Sequence, residues 1–196
     1  MTTHGTSHGT PVRPPRHTPL PIPPSVLERL RAEDDAGRPA LPFADGEGGA
    51  PLRCCLRLSR PGERIALVTY APLRRWAART GTDPGAYDEQ GPVFVHAAEC
   101  GGPGPREAFG YPFARPGVRR VLRRYDARGR IAGGLLAELP GDPGTGVTAV
   151  LDAALDEAFA DPGTALVHVR AVEYGCFQFE VRGPVEGLGR ESSTSG

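Results

Sequence analysis

The chain has 196 residues, of which 27 are Gly and 22 Pro, with 39% apolar and only 7% aromatic side chains; that composition lies near the border where low-complexity chains begin. It contains neither lysine nor asparagine, and its 23 positive charges, all arginine, balance 23 carboxylates to zero. No apolar run approaches the ~20 residues that span a bilayer, no basic region leads into an apolar stretch, and a neutral chain has no electrostatic reason to bind nucleic acid or an anionic membrane, so a cytoplasmic protein with neither partner is expected.

Residues 1–24 hold Thr, His, Gly and Pro with hardly an aliphatic side chain. Such a segment buries too little surface to offset its ordering entropy and reads as a disordered arm carrying His4, His8 and His17. Ser25 is placed to cap a short helix with Val26, Leu27 and Leu30 on one side, ending near Gly37 and Pro39. Residues 39–51 read as a Gly/Pro/acid linker, 52–182 as a single domain, and 183–196 as a flexible tail.

Within the domain most signals are for strands. Arg64 to Tyr70 follows a Pro61-Gly62 turn, and Pro92 to His96 follows Gly91. Val118 to Tyr125 and Arg130 to Glu138 flank Asp126-Ala-Arg-Gly129, which has the composition of a hairpin turn. Residues 147–160 form the clearest helix, with Val147, Val150, Leu151, Leu155, Ala158 and Phe159 on one face, stopped by Asp161-Pro162-Gly163. Asp152, Asp156 and Glu157 fall on its polar side and read as solvated. A weaker helix is expected over Leu73–Thr80. Together these predict an α+β fold with a mainly antiparallel sheet.

The pattern over Leu166–Val181 is clean enough to predict a register. A three-residue loop, with Gly175 supplying the positive φ of a bulge-type turn, pairs 172 with 176, 170 with 178 and 168 with 180. Apolar side chains then fall on one face and polar ones on the other. His168 stands across from Glu180, and Arg170 across from Gln178. The two readings of that face are a His–Glu pair beside an anion-binding arginine, or a solvated sheet surface with cross-strand charge pairs.

Four cysteines without a CxxC pair do not make a disulfide scaffold. Read as a strand, Leu52-Arg-Cys-Cys-Leu-Arg-Leu58 points Cys54 to the core with Leu52, Leu56 and Leu58. Cys55 then lies between Arg53 and Arg57, where two guanidinium groups favour the thiolate. His96 and Cys100 have spacing suited to two zinc ligands, with His168 and Cys176 a looser second pair. No glycine-rich phosphate loop and no serine nucleophile elbow is present.

Five ordered segments carry a resemblance: Gly48-Gly-x-Pro-Leu-Arg-Cys-Cys-Leu-Arg57, Pro61-Gly-Glu-Arg-Ile-Ala-Leu-Val68, Gly91-Pro-Val-Phe-Val-His96, Arg124-Tyr-Asp-Ala-Arg-Gly-Arg-Ile131 and His168-Val-Arg-x3-Tyr-Gly-Cys-Phe177. Over residues 25–182 the chain resembles the bacterial family catalogued as domain of unknown function 1203, as an actinobacterial-type member. The resemblance implies no activity. It does imply that a Cys-Arg-His-Cys-Leu run common in that family stands here as Leu52-Arg-Cys-Cys-Leu56, a departure expected to weaken a metal site built on the run.

Two functional expectations follow. The first is a small enzyme without an organic cofactor, acting on a carboxylate-bearing small molecule. Arg53, Arg57 and Arg170 would hold the anion, His168 oriented by Glu180 would be the general acid/base, Cys55 the nucleophile, and Tyr174, His96 and Cys176 the lining. The second is a non-catalytic module, either a zinc-binding protein using His96 and Cys100 or a small-ligand or protein-interaction domain. The sequence leaves the oligomeric state open.

Overall fold

Alternating apolar residues and Gly/Pro turns place most of the chain in strands, and the computed structural model, which describes residues 14–104, 110–142 and 146–183, shows how they layer. In chain order the elements are α1 (Pro24–Ala32), β1 (Pro42–Ala44), β2 (Pro51–Leu52), β3 (Arg57–Leu58), β4 (Arg64–Tyr70), α2 (Pro72–Thr80), β5 (Gly91–His96), β6 (Arg119–Tyr125), β7 (Ile131–Glu138), α3 (Val147–Ala160), β8 (Leu166–Ala171) and β9 (Phe177–Arg182). They form two sheets, ordered β1-β4-β5-β2-β3 and β7-β6-β8-β9. Pairing is antiparallel except where β2 runs parallel to β5 through Leu52 and Phe94. The fold is α+β, with α3 spanning the expected residues.

Each sheet buries one face against a helix. Ala66, Val68, Val93 and Val95 of the first sheet pack with Val26, Leu27 and Leu30 of α1. Leu122, Val167, Val169, Phe179 and Val181 of the second pack with Val147, Leu151, Leu155 and Ala158 of α3. The opposite face of the second sheet is also covered, because Leu73, Trp76 and Ala77 of α2 lie against Tyr125 and Leu166. No helix among the described residues is long and apolar enough to cross a membrane.

The hairpin of β8 and β9 keeps His168 opposite Glu180 and Val169 opposite Phe179. Gly175 has the positive φ, +65°, that the turn requires. Nearer the turn the register differs from expectation. A bulge puts Arg170 opposite Phe177 rather than Gln178, so the extra residue is taken up on β9. The polar face is not solvated either: His168 is fully buried, and Gln178 and Glu180 are 4% and 7% exposed.

Four further expectations are corrected. Within the arm expected over 1–24, residues 14–24 pack on the domain, which supplies partners that their own composition lacks. Leu20 N donates to Glu180 O (2.8 Å), Ile22 N to Arg53 O (2.9 Å), and Ile22 is 2% exposed. His17 stacks on Phe159 and bonds Asp156 through Nε2 at 2.8 Å. Asp152, expected in solvent, is fully buried and accepts bonds from Tyr111 Oη (2.7 Å) and Arg16 N (2.9 Å). α1 starts after Pro23, with no side-chain cap from Ser25. The 39–51 linker contributes β1 and β2, and its Gly48 (φ +74°) is packed so tightly that a Cβ would lie 2.9 Å from Pro61. Residues 1–13, with His4 and His8, and 184–196 lie outside the described residues.

Because Ile22 fills the core under α1, Ile22→Ala is expected to lower the unfolding free energy by about 2–5 kcal/mol. Urea denaturation measures this, and a loss under about 0.5 kcal/mol, as at a surface position, would restore the disordered arm.

Candidate metal centre

The period-two reading of Leu52–Leu58 fails, and its failure builds the site. β2 ends at Leu52, and the chain reverses within four residues: Leu56 N donates to Leu52 O at 2.8 Å, and Leu56 takes φ +59°. A bulky residue in the left-handed region is strained and needs its surroundings to hold it there. Arg53 N donates to Phe94 O at 2.9 Å, tying the turn to β5. Cys54 and Cys55, expected on opposite faces of a strand, therefore sit together at the turn beside His96.

Cys54 Sγ lies 3.9 Å from Cys55 Sγ and 3.3 Å from His96 Nδ1, and Cys55 Sγ lies 3.7 Å from the same nitrogen. The loop after β5 brings back Cys100, so four ligand atoms lie within 4.8 Å of one another. Tetrahedral zinc, with bonds of about 2.3 Å to sulfur and about 2.0–2.1 Å to nitrogen, sets sulfurs about 3.8 Å apart and sulfur to nitrogen about 3.6 Å. The observed spacings match. All four cysteines are free.

The surroundings suit thiolates and a fixed imidazole. His96 N donates to Cys54 Sγ at 3.2 Å. The hydrogen bond from the Cys54 thiol, then the Arg57 backbone N–H and the charges of His96 and Arg57, outweigh burial and bring the Cys55 thiol down to about 6. The same bond to Cys55, with burial, pushes Cys54 up. On the far side of the ring, His96 Nε2 is 3.5 Å from Glu63 Oε2 and 3.1 Å from Arg57 Nη2. A carboxylate behind the second nitrogen is the usual orienting partner of a metal-bound histidine. Arg57 grips Glu63 with two bonds, 2.9 and 2.7 Å, and holds its carboxyl down at about 2. Cys54 and Cys100 also border a cleft of about 790 Å³ shared with α1 and residues 101–103.

Of the remaining expected residues Arg57 borders this cluster at His96 Nε2, and the others lie apart from it. Arg57 is neutralised by Glu63. Arg53 points away, donating through Nε to Phe177 O at 2.8 Å. Arg170 pairs with Glu89, which also holds Arg123. Tyr174 is 85% exposed and with Cys176 and Arg170 edges a separate cleft of about 160 Å³. His168 lies among aromatics, its ring 4.8 Å from Tyr125 and 5.1 Å from Phe177, with Glu180 Oε2 at 3.6 Å. The looser His168/Cys176 ligand pair is thus absent from the cluster. Cys54, where the family run resembled above has a histidine, still offers a ligand atom to the cluster, whereas Leu52 is core. Cys54 and Glu63 were missed as site residues. Adjacent cysteines were a usable signal for the first; nothing local to Glu63 marked the second.

Residues 49–183 match a family model described as protein of unknown function (DUF1203). No curated protein matches the chain, and no solved structure does.

The buried His168–Glu180 pair has a consequence for acid stability. Burial lowers the His168 pKa against the pull of Glu180. Burial alone would raise Glu180, but His168 and Arg182 outweigh it and its pKa falls. Below the ordinary histidine value of about 6.5 the unfolded chain takes up a proton that folded His168 refuses, so stability falls with pH by at most about 1.4 kcal/mol per unit from this group. Melting temperatures at pH 7.5 and 5.5 are expected to drop more in the native protein than in His168→Phe, which keeps the aromatic contacts. Equal drops would remove His168 as the cause.

Proposed function

The chain belongs to that family, DUF1203, whose description assigns no activity, and from the site itself we propose that it is a zinc-binding protein whose ion is held by Cys54, Cys55, His96 and Cys100. The observation that carries this reading is the near-tetrahedral spacing of three ligand atoms, 3.3, 3.7 and 3.9 Å apart, with a fourth thiol in reach. Four protein ligands leave no position for a reacting water, the pattern of a structural site. The ion would fasten the Cys54-Cys55 turn to the end of β5 and to the following loop. Glu63, itself gripped by Arg57, would accept from the His96 Nε2–H and keep Nδ1 turned toward the sulfurs. Soft thiolates and one imidazole select zinc over magnesium or calcium.

The acid/base enzyme reading draws less support. Its general acid/base, His168, and its anion holder Arg170 lie apart from its nucleophile Cys55, and both Arg170 and Arg57, which lies beside Cys55, already have a carboxylate.

Protein purified without chelator is expected to carry about one equivalent of zinc by elemental analysis, and Cys55→Ser, His96→Ala and Cys100→Ser to carry less than a tenth of that. Binding at about 1,000 times Kd adds ~4 kcal/mol, so chelation is expected to lower Tm by roughly 8–16 °C, restored on adding zinc. A metal-free protein whose Tm ignores both chelator and added zinc would overturn the reading.

A further inference from the structure

Arg53 and Arg120 are buried almost completely, at 2% and 5% exposure. Removing a guanidinium from water costs several kcal/mol unless an anion or a full set of hydrogen bonds offsets it. Neither arginine has a full set. Arg53 donates through Nε to Phe177 O at 2.8 Å and through one Nη to Pro51 O; among the described residues the other Nη has no acceptor and no carboxylate pairs with this side chain. Arg120 donates to the carbonyls of Arg119 (2.8 Å) and Phe113 (2.6 Å). Its one carboxylate among the described residues, Glu173, stands off at 3.8 Å on a half-exposed turn.

Phe113 joins the two. Its ring lies 5.6 Å from Arg53 Cζ, and its carbonyl takes the Arg120 bond. Its backbone is held at φ +58°, a conformation that costs a bulky residue roughly 1–3 kcal/mol and persists only where neighbours enforce it. The two guanidinium groups are near enough to feel each other: burial, and then the Arg120 charge acting against the pull of Cys176, bring Arg53 down to about 10. Among the described residues the region thus gathers two buried positive charges with a single, withdrawn carboxylate against them. Arg57, beside the site already described, is by contrast neutralised by Glu63 at 2.7 Å.

We propose that Arg53 and Arg120 form a receptor for a small doubly charged oxyanion, the phosphoryl group of a small metabolite, with Glu173 as the internal carboxylate that this ligand displaces. Planar guanidinium forks suit such an oxyanion. The turn that carries Glu173 also carries the exposed Tyr174 and the half-buried Cys176, so it is the part of the surroundings that opens to solvent. The inference does not depend on zinc, because the Arg53 side chain leaves the turn on the side away from the cysteines.

Inorganic phosphate is the probe, titrated into the full chain at pH 7.5 against chloride of matched ionic strength, with binding followed by calorimetry and by Tm. Saturable binding is expected, at least tenfold weaker for acetate and for Arg120→Gln. Since Arg120 is buried and its variant is prone to unfold, Glu173→Gln, on the exposed turn, carries the decision: removing the competing carboxylate is expected to tighten phosphate binding at least threefold. A response that never saturates, an affinity unchanged or weakened in Glu173→Gln, or acetate binding as tightly as phosphate would each overturn the proposal.

Discussion

The reversal of the chain between Leu52 and Arg57 is the constraint on which the rest of the molecule depends. It makes four connections. Arg53 N bonds β5, and Arg53 O accepts from Ile22 of the N-terminal segment. Arg53 Nε reaches Phe177 at the start of β9, and the two cysteines meet His96. One strained turn therefore joins the two sheets and the N-terminal segment, and presents the ligand cluster. The left-handed backbone of Leu56 is the cost of the reversal, and a metal bridging the turn to the end of β5 would offset it.

Arginine shapes the electrostatics of the fold. With no lysine in the chain, every basic group is a planar fork suited to two-point contact with a carboxylate. Glu63 takes such a pair of bonds from Arg57, and Glu89 stands between Arg123 and Arg170. These pairs absorb positive charge that the sequence leaves looking available for a ligand. Among the described residues the buried pair of Arg53 and Arg120 has only Glu173, 3.8 Å from Arg120, against it, and that pair is set apart by depth and not by sequence pattern.

Much of the scaffold was legible along the chain. α3 was visible because six apolar side chains recur at helical spacing over fourteen residues. The pairing of His168 with Glu180 was visible because strand alternation ties register to face. The bulge at Gln178 was not, since one extra residue leaves the overall alternation intact. Nor was the Cys54-Cys55 turn, because Leu-Arg-Cys-Cys-Leu-Arg-Leu alternates as a strand would, and only pairing with β5 and burial under residues 20–22 select the reversal.

The sequence by itself determined the fold class, the hairpins, the main helix and the residue types that carry chemistry, since these follow from periodicity and turn propensity within short windows. Tertiary structure alone decided which of those residues meet. A strand's second face is polar in the sequence whether it meets water or another layer, and here α2 and the first sheet close over His168. The same limit applies to His96: its spacing to Cys100 marked a pair of ligands, but Cys54 and Cys55, more than forty residues earlier, reach it only because β2 lies parallel beside β5.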